Sequence, residues 1–456
     1  MSKPLLTEFN SSSELPEDLP EEILFILDRF EKNHKRSYLV GGSVRDLLLG
    51  KAISDYDITT PATPEEVKKI FSDFIVLDTG LQHGTVTLLI DNKPFEITTF
   101  RTDGKYSDHR RPNNVELTTS LYEDSQRRDF TINQLAYNPI EGLVDYHNGL
   151  ADLKAKLVRA VGDPYKRFNE DALRIIRALR FGAQLNFNVE EKTFAAVKDM
   201  INDLDFVAAE RLTHELSKIL NSDFLSDNWQ NLMVLWNYLF PHYACEIYRS
   251  LNVDFLENLP KNHNINLTIL TYFLTNEDLS HFLDKIKLKR LDSGLIKSYV
   301  SALHEVAESH GVEGIEAIGE IGKIGGQEMD FETKSKMNIE ERNFFSPLDL
   351  VHLKNKYKLD LPTFIEVLDL IVLEPKYGIS PHTIEEIKAS FSEILEKQLP
   401  LSTLELAITG KDLINLGFSQ SKAVGNVLDV LLHKTIQGEL ENKEESLLSA
   451  AKAMLS

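Results

Sequence analysis

One cysteine, Cys245, stands in 456 residues, so neither an intrachain disulfide nor a cysteine-held metal can form. That scarcity fits a reducing, cytoplasmic setting. No uninterrupted apolar run approaches the ~18 residues that a membrane-spanning helix needs, and no membrane partner is expected. The first residues, MSKPLLTEFNSSSELPEDLPEE, are polar and acidic and lack the apolar core of a signal peptide. There is no internal repeat and no low-complexity tract. Cations are in deficit: 50 Lys and Arg face 71 Asp and Glu, a net charge of −21. As a bulk quantity this argues against nucleic acid, since binding phosphates needs cations. What remains, 42% hydrophobic and 27% charged, is the composition of an ordinary globular protein with room for about three domains.

The charge is unevenly spread. Residues 101–180 carry ten of the seventeen arginines and four lysines against twelve acids, a net of +2, so the rest of the chain carries −23. Arginine offers a fixed fork of donors suited to phosphates and base edges. A solvated, salt-bridged surface explains such a cluster equally well until motifs are considered.

From Glu21 to about Lys35, Ile23, Leu24, Ile26, Leu27 and Phe30 recur at helical spacing. Short β-branched and aromatic segments follow: SYLVGG, ISDYDITT, FIVLD, HGTVTLLI and PFEITTF, each read as a strand. Thr63-Pro64-Glu65-Glu66 opens an intervening helix with a capping box. LAYNPIEGLVDYHNG reads as a closing hairpin around Pro139 to Gly142. From about Asp152 strand signals fade, and YKRFNEDALRIIRALRFGAQL, EKTFAAVKDMI and AERLTHELSKIL read as helices. Amphipathic helices continue to the end, with one glycine-rich connection around Gly322 to Gly326. The expected organisation is an α/β head over 22–150, a helical neck over 151–222, a helical body over 223–380 and a helical tail over 381–456.

The strand SYLV runs into Gly41-Gly42-Ser43 and then a helix. Glycines let the backbone approach a ligand closely, and a helix start presents free N–H groups to phosphate. Ser43 and Arg45 can each meet a phosphate oxygen. Alone, this is as well explained by a tight structural turn. In ISDYDITT, Asp55 and Asp57 stand at i and i+2, which on a strand share one face. Two carboxylates on one face repel unless a cation lies between them, and oxygen-only ligation suits Mg²⁺. Glu96 on PFEITTF is a candidate third metal ligand, or an exposed strand glutamate. A triphosphate-holding turn beside a metal-holding strand implies nucleotidyl transfer.

LVGGSVRDLLLGKAISDYDITTPATPEEV closely resembles the head of the class II tRNA nucleotidyltransferase and bacterial poly(A) polymerase family, in the polymerase-β superfamily. EITTFRTDGKYSDHRRPNNVE, RRDFTINQLAYNP, RFNEDALRIIRALRF and ERLTHELSKIL agree with it in order, over about residues 37–220. The resemblance implies an α+β fold: a polymerase-β-like nucleotidyltransferase head, mixed sheet with helices, followed by an all-α neck, body and tail. It implies that Asp55 and Asp57 hold the metals and are catalytic. It places Gly42, Arg45 and Arg128 on the nucleotide, with Asp129 a neighbour that can orient Arg128. In Glu170-Asp171-Ala172-Leu173-Arg174, it assigns Asp171 and Arg174 to the Watson–Crick edge of the incoming base, so that protein replaces a template. On a continuous helix these two, at i and i+3, share a face. Arg177 and Arg180 match further nucleotide-site positions, with Arg180 drifting away from Asp171 around the helix.

Within the family, Asp103 to Pro112 forms an apparently complete loop, which enzymes adding only two cytidines characteristically shorten. Asp78 to Ile90 and the acidic remainder lack the basic segments typical of bacterial poly(A) polymerases. ITGKDLINLGFSQSKAVGNVLDVLLHKTIQGEL resembles the family tail, with Gln420-Ser421-Lys422 where a Gly-Pro pair usually stands. The absence of any His-Asp dipeptide leaves no support for an appended His-Asp phosphohydrolase domain. The resemblance thus implies a Mg²⁺-dependent enzyme that adds the 3′-terminal CCA of tRNA from CTP and ATP, with no stable protein partner. An A-adding enzyme, a poly(A) polymerase and a non-catalytic tRNA-binding protein are the ranked alternatives.

Overall fold

The computed structural model describes residues 19–53, 55–103, 115–309, 345–419 and 422–455. They form two compact units, one ending at Tyr238 and one starting at Leu239.

The first unit opens with α1, Glu21–Lys32, whose Ile23, Ile26, Leu27 and Phe30 are buried. These side chains join Ile58, Val67, Val86, Leu88 and Ile97 in the main core of the head. The head's seven-stranded sheet contains β1 (Tyr38–Val40), β2 (Asp57–Thr60), β3 (Ile75–Gly80), β4 (Thr85–Ile90) and β5 (Lys93–Thr99). After a separate ribbon of β6 (Arg101–Asp103) and β7 (Val115–Leu117), it is completed by β8 (Ala136–Asn138) and β9 (Gly142–Val144). Its order is β3-β4-β5-β2-β1-β8-β9. Only the β2–β5 pair is parallel, so the sheet is mixed, as expected. The hairpin around Pro139 to Gly142 forms as the turn residues predict.

Three helices position the site. α2 (Gly42–Leu48) follows β1 directly, and α3 (Pro64–Ile70) follows β2. The Thr63 hydroxyl accepts from the Glu66 amide at 3.3 Å and the Thr63 amide donates to the Glu66 carboxylate at 2.9 Å, the predicted capping box. α4 (Leu121–Gln126) lies behind β1, with Leu121 packed near Val40 and Phe100.

Beyond the head come α5 (Gly149–Lys154), α6 (Pro164–Glu170), α7 (Leu173–Leu185), α8 (Glu191–Met200) and α9 (Ala209–Leu220). This neck is not wholly helical: β10 (Leu157–Val158) and β11 (Asn188–Val189) form a short parallel pair. The single helix expected through YKRFNEDALRIIRALRFGAQL is also broken. Asp171 is extended, at φ −142° and ψ 103°. Its carboxylate accepts from the Leu173 amide at 3.2 Å, restarting the chain as α7 by the same side-chain-to-backbone bond that caps helices. α9 packs along α7.

The second unit is helical throughout its described residues, from His242–Arg249 to Glu444–Ala453. Its interior is aromatic-rich, with Tyr248, Tyr272 and Tyr377 fully buried. Among the described residues, no helix is long and apolar enough to cross a membrane. The connection around Gly322 to Gly326, Gln420 and Ser421, and most of the loop from Asp103 to Pro112 lie outside the described residues.

Candidate active site

β1 ends at Val40, paired with Asp57 on β2. The chain then turns at Gly41, in the left-handed region at φ +76°. A Cβ built on Gly41 would stand 3.6 Å from Asp57 Oδ2 and 3.7 Å from Arg128 Nη1. The glycine turn, the second aspartate and the motif arginine therefore meet at one point. Asp57 lies opposite Glu96 in the parallel β2–β5 register. Asp55 lies outside β2, because β1 turns away at Gly41 and offers it no partner strand. The shared strand face predicted for Asp55 and Asp57 is thus not the source of their proximity.

Asp57 is exposed as a residue, yet its carboxylate is crowded by these neighbours. Lost hydration raises it above the ordinary aspartate range; Glu96 and Asp55 raise it further, while Arg128 opposes them. This clustering of like charge fits a hard divalent cation, which takes oxygen donors. Among the described residues, no three His, Cys, Asp or Glu side chains close on one metal position. Divalent ions of the Mg²⁺ type are commonly held by one or two carboxylates plus substrate phosphates, so two aspartates suffice as the protein's share.

Arg128 is held by Asp124, at 3.0 Å, and Asp124 also pairs with Arg127 at 2.7 Å. Burial pushes Asp124 upward, but Arg128 and Arg127 outweigh it and leave it below the usual range. Asp129 does not orient Arg128, contrary to expectation. It accepts from Arg177 Nε at 2.8 Å and from the Asn133 amide at 3.2 Å. Burial alone would raise Asp129, yet Arg177 above all, with Arg174 and Asn133, holds it at about 2.

Two predicted phosphate ligands have intramolecular partners. Ser43 is buried and donates to the Val40 carbonyl at 2.8 Å. Arg45 is buried, bidentate on Asp46 at 2.9 and 2.8 Å, and donates to Asn133 at 2.6 Å. Both brace the glycine turn from beneath; Gly42 lies against Arg45, a built Cβ standing 3.4 Å from Nη2.

Asp171 and Arg174 do not share a helix face and do not pair. Arg211 on α9 reaches Asp171 at 3.1 Å. Arg174 is buried, with Nη1 on the Arg167 carbonyl at 3.0 Å and on Glu170 at 3.1 Å, and Nη2 on the Arg127 carbonyl at 2.7 Å. Those contacts leave the Nε hydrogen and one Nη2 hydrogen of the five-donor fork. Arg180 points elsewhere, as its helical phase predicts, and lies 2.6 Å from Glu215. Burial, then Arg177, lowers it to about 10, still a cation at neutral pH. The Phe181 ring lies beneath the guanidinium groups of Arg45, Arg177 and Arg180, at 5.1, 5.3 and 3.9 Å.

Sequence reasoning did not single out Asp124, Asn133, Glu215 or Arg211. Asp124 was readable from its i,i+3 and i,i+4 spacing to Arg127 and Arg128. Arg211 and Glu215 sit in ERLTHELSKIL, i and i+4 on one helix face.

Three family models cover much of the chain. The poly A polymerase head domain matches residues 37–159, the RNA- and SrmB-binding site of polymerase A matches 186–246, and tRNA nucleotidyltransferase domain 2 matches 347–451. The CCA-adding enzyme of Ligilactobacillus salivarius is 34% identical over 449 residues, 96% of this chain and 98% of that one. The chain belongs to the CCA-adding enzyme family. The CCA-adding enzyme of Staphylococcus saprophyticus is 46% identical over 222 residues, so that about half of each chain, 48% and 55%, is spanned. A crystal structure of the Bacillus stearothermophilus CCA-adding enzyme in complex with CTP aligns with a TM-score of 0.72 at 26% identity, covering 95% of this chain and 97% of that one. The Thermotoga maritima CCA-adding enzyme complexed with tRNA shares the fold, with a TM-score of 0.64 at 21% identity over 97% and 98% of the two chains.

Proposed function

We propose that this protein is a cytoplasmic, Mg²⁺-dependent tRNA nucleotidyltransferase that builds or repairs the 3′-terminal CCA of tRNA from CTP and ATP without a nucleic-acid template. The observation that carries the reading is the convergence of the Gly41 turn, Asp57 and Arg128 at one point. The family relationship, with CCA-adding enzymes over nearly its whole length, supports the substrates.

The tRNA 3′-hydroxyl attacks the α-phosphorus of the nucleotide, a new P–O bond forms, and pyrophosphate leaves. Asp55 and Asp57 would hold Mg²⁺, with Glu96 opposite Asp57 as a further carboxylate. Bound there, the metal would supply activation of the hydroxyl and neutralisation of charge on the pyrophosphate. Arg128, steadied by Asp124, places positive charge beside Asp57 where the triphosphate lies. Gly42 lets the backbone come close, while Ser43 and Arg45 keep the turn rigid. Asp171 accepts from the exocyclic amino group that cytosine and adenine share. Arg174 donates its remaining N–H groups to ring-nitrogen and carbonyl acceptors. Uracil and guanine present the wrong pattern at that edge. Arg177 and Arg180 contribute to the positive field around the nucleotide, each buffered by a carboxylate. The helical second unit binds the tRNA largely by shape and phosphate contacts.

The test is incorporation from labelled CTP or ATP into tRNA ending before CCA and into tRNA ending in CC. Both nucleotides used on the first substrate supports CCA addition. ATP used only on the second makes the protein an A-adding enzyme, and long adenosine tails on unrelated RNA make it a poly(A) polymerase.

A further inference from the structure

Every arginine assigned to the nucleotide site already pairs with a carboxylate, although Asp124 also serves Arg127 and Glu170 also serves Arg167. Arg45 has Asp46, Arg128 has Asp124, Arg174 has Glu170, Arg177 has Asp129 and Arg180 has Glu215. Arg211, which steadies the base-reading aspartate, has Asp171. A nucleoside triphosphate brings up to four negative charges, more than the two positive charges that these eight arginines keep over their six carboxylates.

Lys218 differs. It lies on α9, one turn beyond Glu215 and two beyond Arg211, on the face those residues turn toward Asp171 and Arg180. The sequence motif ERLTHELSKIL contains it, but neither the motif reading nor the reaction above gives it a task. Lys218 is half-buried, and among the described residues no carboxylate comes within 4.0 Å of its ammonium group. Burial lowers its proton affinity most, Arg180 and Arg177 lower it further, and Glu215 and Asp55 partly restore it. Lys218, on the neck, thus lies within electrostatic reach of Asp55 of the head. A half-buried cation among other cations is costly unless an anion joins it.

We propose that Lys218 binds the triphosphate of the incoming nucleotide, donating to non-bridging phosphate oxygens and following them onto the departing pyrophosphate. This rests on the nucleotidyltransferase reading above. An ammonium on a flexible stem suits the role, because three rotatable donors can track phosphates that move during reaction, as a fixed guanidinium fork cannot. It also fits the placement of the residue. The arginines define a rigid wall that its carboxylates neutralise in large part, and Lys218 adds positive charge to it.

The test uses the full-length protein and the variants Lys218→Met, which keeps the stem without the charge, and Lys218→Arg. Wild-type incorporation into tRNA ending before CCA establishes the nucleotidyltransferase reading first; if the wild type is inactive, that reading has failed, not this one. With an active wild type, Lys218→Met is expected to raise KM for CTP and for ATP about tenfold or more, the scale of one charge-assisted hydrogen bond. KM for tRNA stays within twofold, and inorganic pyrophosphate inhibits the variant more weakly by a similar factor. Lys218→Arg recovers part of the loss. Thermal melting without nucleotide is unchanged or shifted upward, because a desolvated charge has been removed. Unchanged nucleotide KM values overturn the proposal. A rise confined to KM for tRNA also overturns it, since it places the ammonium on the RNA. A fall in melting temperature that alone accounts for lost activity, with nucleotide KM intact, leaves Lys218 a structural residue and likewise overturns it.

Discussion

Arg211 reaches across forty positions of sequence to hold the Asp171 carboxylate at 3.1 Å, while Arg174, three residues from Asp171, is occupied elsewhere. The two base-reading groups are thus kept apart by separate partners. Without Arg211, Asp171 keeps Arg177 of α7 within electrostatic reach, and pairing with it would close the edge meant for the base. Arg211→Ala is expected to lower discrimination between CTP and UTP about tenfold, the scale of one charge-assisted hydrogen bond. Arg211→Lys should restore part of it. Competition between the two nucleotides on one tRNA checks this, and unchanged discrimination would refute the holding role.

Asp57 should trade stability for function. Its folded-state value is raised, so its stabilising contribution is present while it is protonated and lost as pH rises through that value. At neutral pH its ionisation therefore works against the fold. Asp57→Asn is expected to abolish incorporation while keeping or raising the melting temperature at pH 7. Mg²⁺ should raise the melting temperature of the wild type and do so less for the variant, since binding to the folded state stabilises it. Scanning calorimetry with and without Mg²⁺ reads both effects.

Asp129 runs the opposite way. Arg177 outweighs burial and holds it at about 2, below an unfolded aspartate. Its contribution is complete above the unfolded value near 4 and disappears as pH falls toward 2. The displacement corresponds to about 2 kcal/mol. Asp129→Asn should cost at least about that much at pH 7, because it also strands the Arg177 charge. The difference from wild type should shrink between pH 4 and pH 2. Urea unfolding across that range measures it, and a difference independent of pH would contradict the pairing.

Gly41 is needed twice, for its positive φ and for the space beside Asp57 and Arg128. Gly41→Ala places a methyl group in ordinary contact with both side chains and strains the turn by about 1–3 kcal/mol. A lower melting temperature with a larger fractional loss of kcat is expected. Gly162→Ala, at φ +73° with nothing within 4 Å of its built Cβ, serves as the control that carries strain without the site.

Much of the head was legible in its residues. The short β-branched and aromatic segments marked β1 to β5, and Thr63-Pro64-Glu65-Glu66 gave the start of α3 through its capping box. The meeting of Asp57 with the glycine turn followed from strand-turn-helix order, although where β2 begins depended on where β1 turns away. Base reading was legible as residues, not as geometry. Helical spacing continued through Asp171, and nothing local announced that its carboxylate would cap the next helix and accept Arg211 from α9. The partners of the arginines were the least legible, because Asn133, Asp129 and Glu215 acquire their tasks only when distant segments pack. The net charge of −21 was misleading as a total. Part of it is the set of carboxylates that lets so many arginines crowd one site.

The central claim is tested most directly by sequencing the 3′ ends of tRNA, initially ending before CCA, after incubation with the protein, Mg²⁺, CTP and ATP. The account predicts two cytidines and one adenosine added in that order, then arrest, with no addition by Asp57→Asn. Products lacking any added nucleotide, from wild-type protein that melts cooperatively, would contradict it.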